Sequence, residues 1–179
     1  MTSGGVQAAG LSGSELGRGP AAAIAAPLQL HAATVAPEWV DYNNHLSEWA
    51  YLLIFGDNAD ALFRFIGIDE AYRAGGKSLY TGETHLRHLR EVKLGQRLTL
   101  TLTVLGHDDK RLHLLHEMLI YGEGCVATAE QMLLHVDAVV GRVAPFGPDV
   151  AARLRLIATA HTALPRPEYS GGCLRIPER

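Results

Sequence analysis

Residues 37–51 read PEWVDYNNHLSEWAY, and the rest of the chain is organised around them. The stretch ends a candidate strand at Pro37, passes through an Asn-rich turn and opens the longest apolar-periodic helix of the sequence. Asp41, Asn43, Asn44 and His45 place a carboxylate, two amides and an imidazole within five residues. The N–H groups that open a helix are unpaired and carry the positive end of its dipole. A basic or nucleophilic side chain beside such donors can act on a carbonyl group, so this turn is the candidate active site.

Working outward, the spacing predicts a helix from about Ser47 to Ile66. Leu52, Phe55, Ala59, Leu62, Phe63 and Ile66 recur at intervals of three and four and make one apolar stripe. Asp57, Asp60 and Arg64 sit away from it, and Gly67 marks the stop. IDEAYRAGGKS reads as a connecting segment, after which the period changes from 3.6 to 2. The candidate strands are LYTGETHLRHLREV, RLTLTLTVLG, KRLHLLHEMLIY and CVATAEQMLLHVDAVVG. In the second, Leu98, Leu100, Leu102 and Val104 alternate with Thr99, Thr101 and Thr103, the mark of a half-buried strand. Short polar connections, such as Asp108-Asp109 and Gly122 to Gly124, predict an antiparallel meander. A strand from Leu28 to Val35 precedes the motif, and a short helix from about Asp149 to Ala160 closes the domain. One helix on one face leaves the other face and the edges to cover. The sheet is therefore expected to curl around the helix, with a second subunit completing the arrangement.

At 179 residues the chain suits one domain with a sizeable core. A net charge of −3 gives no reason to expect nucleic acid or an anionic membrane as partner. Two cysteines, Cys125 and Cys173, make no disulfide framework and read as free thiols in a reducing cytoplasm. Residues 1–27, rich in Gly, Ala and Ser, read as a flexible extension rather than a signal peptide. Their PAAAIAAP run falls far short of the roughly 20 residues of a membrane span. The expected division is an extension over 1–27, a folded domain over 28–162 and a tail over 163–179 that frays beyond Pro165.

Element order and motif together resemble the hotdog-fold acyl-CoA thioesterases of the 4-hydroxybenzoyl-CoA thioesterase type. In these a turn of the form D-x-x-G-H-[VM]-N-N-x-x-Y enters the central helix. The present turn is DYNNHLSEWAY, so Asp41, His45 and Tyr51 fall on the family's Asp, His and Tyr. HLRHLREVKLGQRLTLT looks like the family's strand-turn-strand segment. WVDYNNHLSEWAYLL, ETHLRHLREV and VATAEQMLLHVD are most similar to the thioesterases associated with carnitine degradation, which are proposed to act on betainyl-CoA. The resemblance implies an α+β hotdog fold, an antiparallel sheet wrapped around one long central helix. It further implies hydrolysis of an acyl-CoA to free acid and CoA, with Asp41 as nucleophile or general base. No cofactor is implied, coenzyme A being part of the substrate, and the expected assembly is a homodimer or tetramer. Asn44 stands where the family has Gly, and Ser47-Glu48 where it has an Asn pair. Asn is among the few other residues that tolerate a left-handed backbone.

Asp41 taken alone also reads as a turn or helix-entry residue. His45 reads as a group that orients the turn or the thioester. Asn43, Asn44 and Tyr51 belong to the motif, and Glu83, Thr84 and His85 lie on a strand that flanks the active site in the resembling fold. Trp39, Tyr42 and Trp49 surround the motif in sequence. They are either core or, with Glu83, a cage for a trimethylammonium group. Glu130 shares strand parity with Val126, Met132, Leu134 and Val136, an apolar face. A carboxylate there calls for a partner, either Arg87 or Arg90 or a substrate cation. Arg87, Arg90, Lys93 and Arg97 are candidates for the phosphates of coenzyme A, or simply solvated. His85 and His88, like His113 and His116, are three apart on strands and point to opposite faces, so no metal site is expected. Two other functions fit the same fold. An enoyl-CoA hydratase would carry a loop like D-x-N-P-x-H, from which this chain lacks the Pro and places His45 one residue early. A non-catalytic acyl-CoA or small-ligand binding module is the other, favoured by Asn44 in place of Gly.

Overall fold

The computed structural model describes residues 23–170 together with Leu174 and Ile176. The predicted central helix is α1, Glu48–Ile66, with Ala50, Tyr51, Ile54, Phe55, Ala59, Leu62 and Ile66 on its buried stripe. It ends as Gly67 turns left-handed at φ 92°, with the Gly67 N–H bonded to Arg64 O and Ile68 N–H to Phe63 O. That paired closure satisfies two terminal carbonyls, and Gly adopts it without steric cost. The segment read as a plain connection holds a five-residue helix, α2 (Glu70–Ala74), capped by Asp69 Oδ1 accepting the Tyr72 N–H.

The sheet comprises β1 (Leu28–Thr34), β2 (Lys77–His88), β3 (Arg97–His107), β4 (Arg111–Ile120), β5 (Gly124–Asp137) and a two-residue β6 (Arg142–Val143). Its order is β1-β3-β4-β5-β2, with β6 beside β5, and every pairing is antiparallel. The expected meander therefore holds for β3-β4-β5 and fails for β2, which pairs with β5 instead of β3. The physical reason is the connection after β2, residues 89–96, which is no tight turn. The Leu89 and Arg90 N–H groups both bond Val126 O, and Val92 O accepts the Leu46 N–H. Held at both ends, the segment passes under the motif turn and delivers β3 beside β1.

The apolar residues of β3 and β4 face α1 in register, Leu100 opposite Met118 and Val104 opposite Leu114. One core cluster joins Tyr51, Ile54 and Phe55 to Leu98, Leu100, Met118 and Val126. A second joins Leu62 and Ile66 to Leu102, Leu114, Leu133 and, from α3 (Pro148–His161), Val150, Leu154 and Ile157. The opposite face is not left bare in one protomer: Leu115, Thr128 and Glu130 are buried there. In the tail, Glu168-Tyr169 form a turn, the Ser170 N–H and hydroxyl bond Pro167 O, and Leu174 is buried; residues 171–173, 175 and 177–179 lie outside the described residues. The extension expected over 1–27 lies outside the described residues up to position 22, as does Cys173. Cys125 is a free thiol, and burial pushes its pKa up to about 11, so it is unreactive at neutral pH.

Candidate active site

The motif turn folds on itself through the Asp41 backbone and side chain together. Val40 and Leu46 form an isolated bridge, Asp41 N–H bonds His45 O at 2.8 Å and Asn44 N–H bonds Asp41 O at 3.0 Å. Asp41 Oδ1 accepts the Asn43 N–H at 2.8 Å and the His45 N–H at 3.1 Å. Closing the turn requires Asn44 at φ 60°, the left-handed conformation that Asn tolerates and most side chains do not. The His45 amide is the chief reason that the Asp41 carboxyl sits below its usual 3.8; partial burial opposes this and the Asn43 amide adds to it. Asp41 is thus an oriented, ionised carboxylate at neutral pH.

His45 leaves the turn on the other side. Its Nε2 meets Glu91 Oε2 at 3.2 Å, and its backbone bridges Lys93. Here, at the N-terminus of α1, opens a cavity of about 620 Å³ walled by His45, Glu48, Tyr51, His88, Arg90 and Glu91. Ser47 gives α1 no side-chain cap; its carbonyl takes the Ala50 N–H at 3.0 Å, and the Glu48 and Trp49 N–H groups have no hydrogen bond among the described residues. Tyr51 is buried and meets His88 edge to face, ring centroids 4.5 Å apart. Burial first, then the charge of Glu91, raises the Tyr51 pKa above 10.0, against a hydrogen bond from the Val92 backbone. Its hydroxyl therefore remains a donor through the whole neutral range. Asp41 is not among the walls of this cavity.

The structure brings Asp41, His45 and Tyr51 to one end of α1 and distributes the other candidates more widely. Asn43 and Asn44 are exposed, Trp39 packs on the core, and Trp49 and Tyr42 are exposed. Thr84 stands opposite Gln131 on the α1 side of the sheet. Glu83 and His85 stand opposite Met132 and Glu130, on the other side. Within one protomer, then, Glu83 and the aromatic residues do not form a cage. Glu130 bonds His113 Nε2 at 2.7 Å rather than Arg87 or Arg90.

Sequence reasoning missed Glu91, His88 and a polar chain through the core. Asn58 Nδ2 bonds Thr101 O at 3.3 Å and His116 Nδ1 at 2.9 Å. His116 Nε2 bonds Gln131 Oε1 at 3.1 Å, and Gln131 Nε2 reaches Thr84 Oγ1 at 3.4 Å. Burial lowers the His116 pKa to about 4, so the ring is neutral. An amide oxygen only accepts, which places the proton on Nε2 and leaves Nδ1 to accept from Asn58. Asn58 in the apolar stripe, three after Phe55 and four before Leu62, was the available signal.

A curled antiparallel sheet around one long helix, entered through an Asp–His turn, defines a hotdog-fold protein with a carboxylate at the helix entrance. The chain belongs to the thioesterase-like superfamily, whose family model matches residues 35–154. It is 47% identical over 152 residues to the betainyl-CoA thioesterase of Pseudomonas aeruginosa, covering 84% of this chain and 96% of that protein. It is 48% identical over 146 residues to the L-carnitine dehydrogenase/betainyl-CoA thioesterase of Rhizobium meliloti, covering 81% of this chain and 29% of that one. The chain thus spans under a third of the length of such fused relatives. A Staphylococcus aureus protein solved in complex with CoA superposes with a TM-score of 0.74 at 27% identity, covering 86% of this chain and 98% of the other. No helix among the described residues is long and apolar enough to cross a membrane.

Proposed function

We propose that this protein hydrolyses the thioester of an acyl-CoA, with betainyl-CoA as its substrate. The observation that carries the reading is Asp41, an ionised carboxylate held by two backbone amides at the entrance to α1. The thioester carbonyl sits against the Glu48 and Trp49 amides of the first turn, which stabilise negative charge developing on its oxygen. Asp41 then either attacks the carbonyl carbon or takes a proton from the water that does. On both routes the C–S bond breaks and the coenzyme A thiolate leaves and is protonated; where Asp41 attacks, water then cleaves the acyl–Asp41 anhydride, and on either route the acid is released and the carboxylate restored. Water is the only other reactant, so no cofactor is called for.

The name of the Pseudomonas aeruginosa relative supports the betainyl group, and so do the two carboxylates in the cavity wall, Glu48 and Glu91, beside the single arginine Arg90. A quaternary ammonium donates no hydrogen bond, so aromatic surface and carboxylates must recognise it. Tyr51 supplies the first, and Glu48 and Glu91 supply the second, in the role expected of Glu83. Coenzyme A metabolism and the free thiol of Cys125 favour the cytoplasm as the place of action.

The protein acts as a homodimer or a higher assembly of dimers. Trp49, Leu52 and Leu53 form one exposed stripe on α1, and β2 ends the sheet as an edge with Tyr80 exposed. An edge of this length beside an apolar stripe invites a second copy. The function is tested by thiol release from betainyl-, octanoyl-, benzoyl- and crotonyl-CoA. Betainyl-CoA is expected to be hydrolysed most efficiently. Faster turnover of octanoyl- or benzoyl-CoA would remove the betainyl assignment and leave the thioesterase, whereas no thiol release from any of them would remove both.

A further inference from the structure

A second cavity, of about 870 Å³, lies between the ends of β3 and β4, the C-terminal end of α3 and the tail. Its walls are mixed, an apolar side with Leu105, Leu164, Leu174 and Ile176 and a polar side with Thr103, His107 and Thr162, and Arg166 is exposed at its rim. Two buried histidines line it, His113 at 7% exposure and His161 at 4%. Both nitrogens of His161 are engaged: Nδ1 accepts the Val104 N–H that a bulge in β3 releases, and Nε2 donates to Ala25 O. His113 differs. Its Nε2 donates to Glu130 Oε1 at 2.7 Å, because a carboxylate can only accept. Its Nδ1 has no hydrogen-bond partner among the described residues, although the ring is almost wholly buried.

We propose that this cavity binds an apolar monocarboxylic acid, whose carboxyl group meets His113 Nδ1 and whose hydrocarbon lies along the leucine and isoleucine walls. A ring nitrogen that meets the cavity without a protein partner is open to an occupant with a matching group. A carboxyl group matches in either state of the ring. Neutral His113 accepts the acid's O–H at Nδ1, and the protonated ring donates N–H to the carboxylate. Glu130 behind the ring fixes its tautomer and orientation, as an outer carboxylate does for a ligand histidine. The volume lies within the range of small-molecule sites, and Arg166 at the mouth favours an anion over a cation. The cavity and the Asp41 turn share no residue, so this inference is independent of the thioesterase reading.

Titration of the intact protein with sodium octanoate tests it, followed by calorimetry and by the imidazole resonances of His113. Saturable binding of one octanoate per chain is expected, with His113 shifted, no displacement by coenzyme A and full retention in Asp41→Asn. His113→Gln keeps a donor for Glu130 and should weaken binding about tenfold or more, the scale of one hydrogen bond to a charged group. Should that variant not fold, Leu105→Trp, which fills the space and leaves the His113–Glu130 pair alone, is expected to abolish binding. Octanamide should bind about tenfold more weakly than octanoate on the same grounds. Absence of saturable binding at millimolar octanoate, an unmoved His113 signal, or competition by coenzyme A would overturn the assignment.

Discussion

Tyr51 of α1 stands edge-on to His88 of β2, the ring planes at 86°, and this contact pins the first turn of the central helix to the sheet beside the motif turn. The hydroxyl of Tyr51 is thereby buried next to Glu91 and kept as a hydrogen-bond donor. Tyr51→Phe keeps the ring contact and loses the donor. Turnover of betainyl-CoA is expected to fall by up to about tenfold, the scale of one neutral hydrogen bond, with little change in melting temperature. A variant as active as the parent would show that the hydroxyl meets no reacting atom.

Asp41→Asn should retain fold and assembly and lose about a hundredfold or more in turnover, as expected for a positioned base or nucleophile. The lowered Asp41 pKa also fixes a pH signature. A carboxyl whose native value is depressed adds stability fully present above its unfolded value of 3.8 and lost as pH falls through the native value. The acid limb of turnover governed by Asp41 therefore lies below pH 3.8. An acid limb centred near pH 6 that disappears in Asp41→Asn would contradict this.

Asn44 at φ 60° makes a second kind of test. Asn44→Gly restores the residue typical of the family and should leave both melting temperature and turnover near the parent. Asn44→Val forces a β-branched residue into the left-handed region, at about 1–2 kcal/mol, and should shift Asp41 enough to cost activity. Equal behaviour of the two variants would mean that the turn has rearranged.

His116 is neutral in the native core near pH 5, with a pKa of about 4, whereas the unfolded chain titrates at 6.5. Between those values the unfolded state binds more protons, so stability falls as pH drops from 6.5 to about 4. The difference amounts to about 3 kcal/mol at the acid end. His135 and His161, both lowered by burial, add in the same direction. Denaturant unfolding across this range should show the slope, and His116→Gln should flatten it without removing it. An unchanged slope would move the acid sensitivity elsewhere.

Leu52→Glu with Leu53→Glu places two charges on the exposed stripe of α1. Light scattering is expected to show a dimer or larger species for the parent and at least about a tenfold weaker association for the double variant, since a charge buried at an interface without a partner is strongly unfavourable. A parent that is monomeric and active at micromolar concentration would end the shared-surface reading.

Much of the fold was legible because one face of each long element is mostly apolar. α1 lies within one residue of its predicted start, and the alternation from Leu98 to Val104 marks β3 directly. Periodicity reports which face of a strand is buried and not which strand lies beside it, so the pairing of β2 with β5 was hidden. The turn residues Asp41, His45 and Tyr51 were legible because they are close in sequence and share a motif. Glu91 and His88 reach the same cavity from the far end of β2, and no local pattern announces that. Glu130 was recognised as a carboxylate on an apolar face, but its partner His113 could not be, since a two-strand register decides which residue lies diagonally across.

That register has a consequence for how the chain avoids misassembly. On β5 the adjacent residues Glu130 and Gln131 reach opposite sides of the sheet, one to His113 and the other to His116, both on β4. Sliding β5 by a single residue against β4 would exchange the two. The carboxylate would then be pressed among Phe55, Asn58 and His116, while the amide was turned to the far side. An apolar strand alone would feel such a slip only as poorer packing. Here it would strand a charge and undo two histidine contacts together, so misaligned hairpins are rejected from both sides at once.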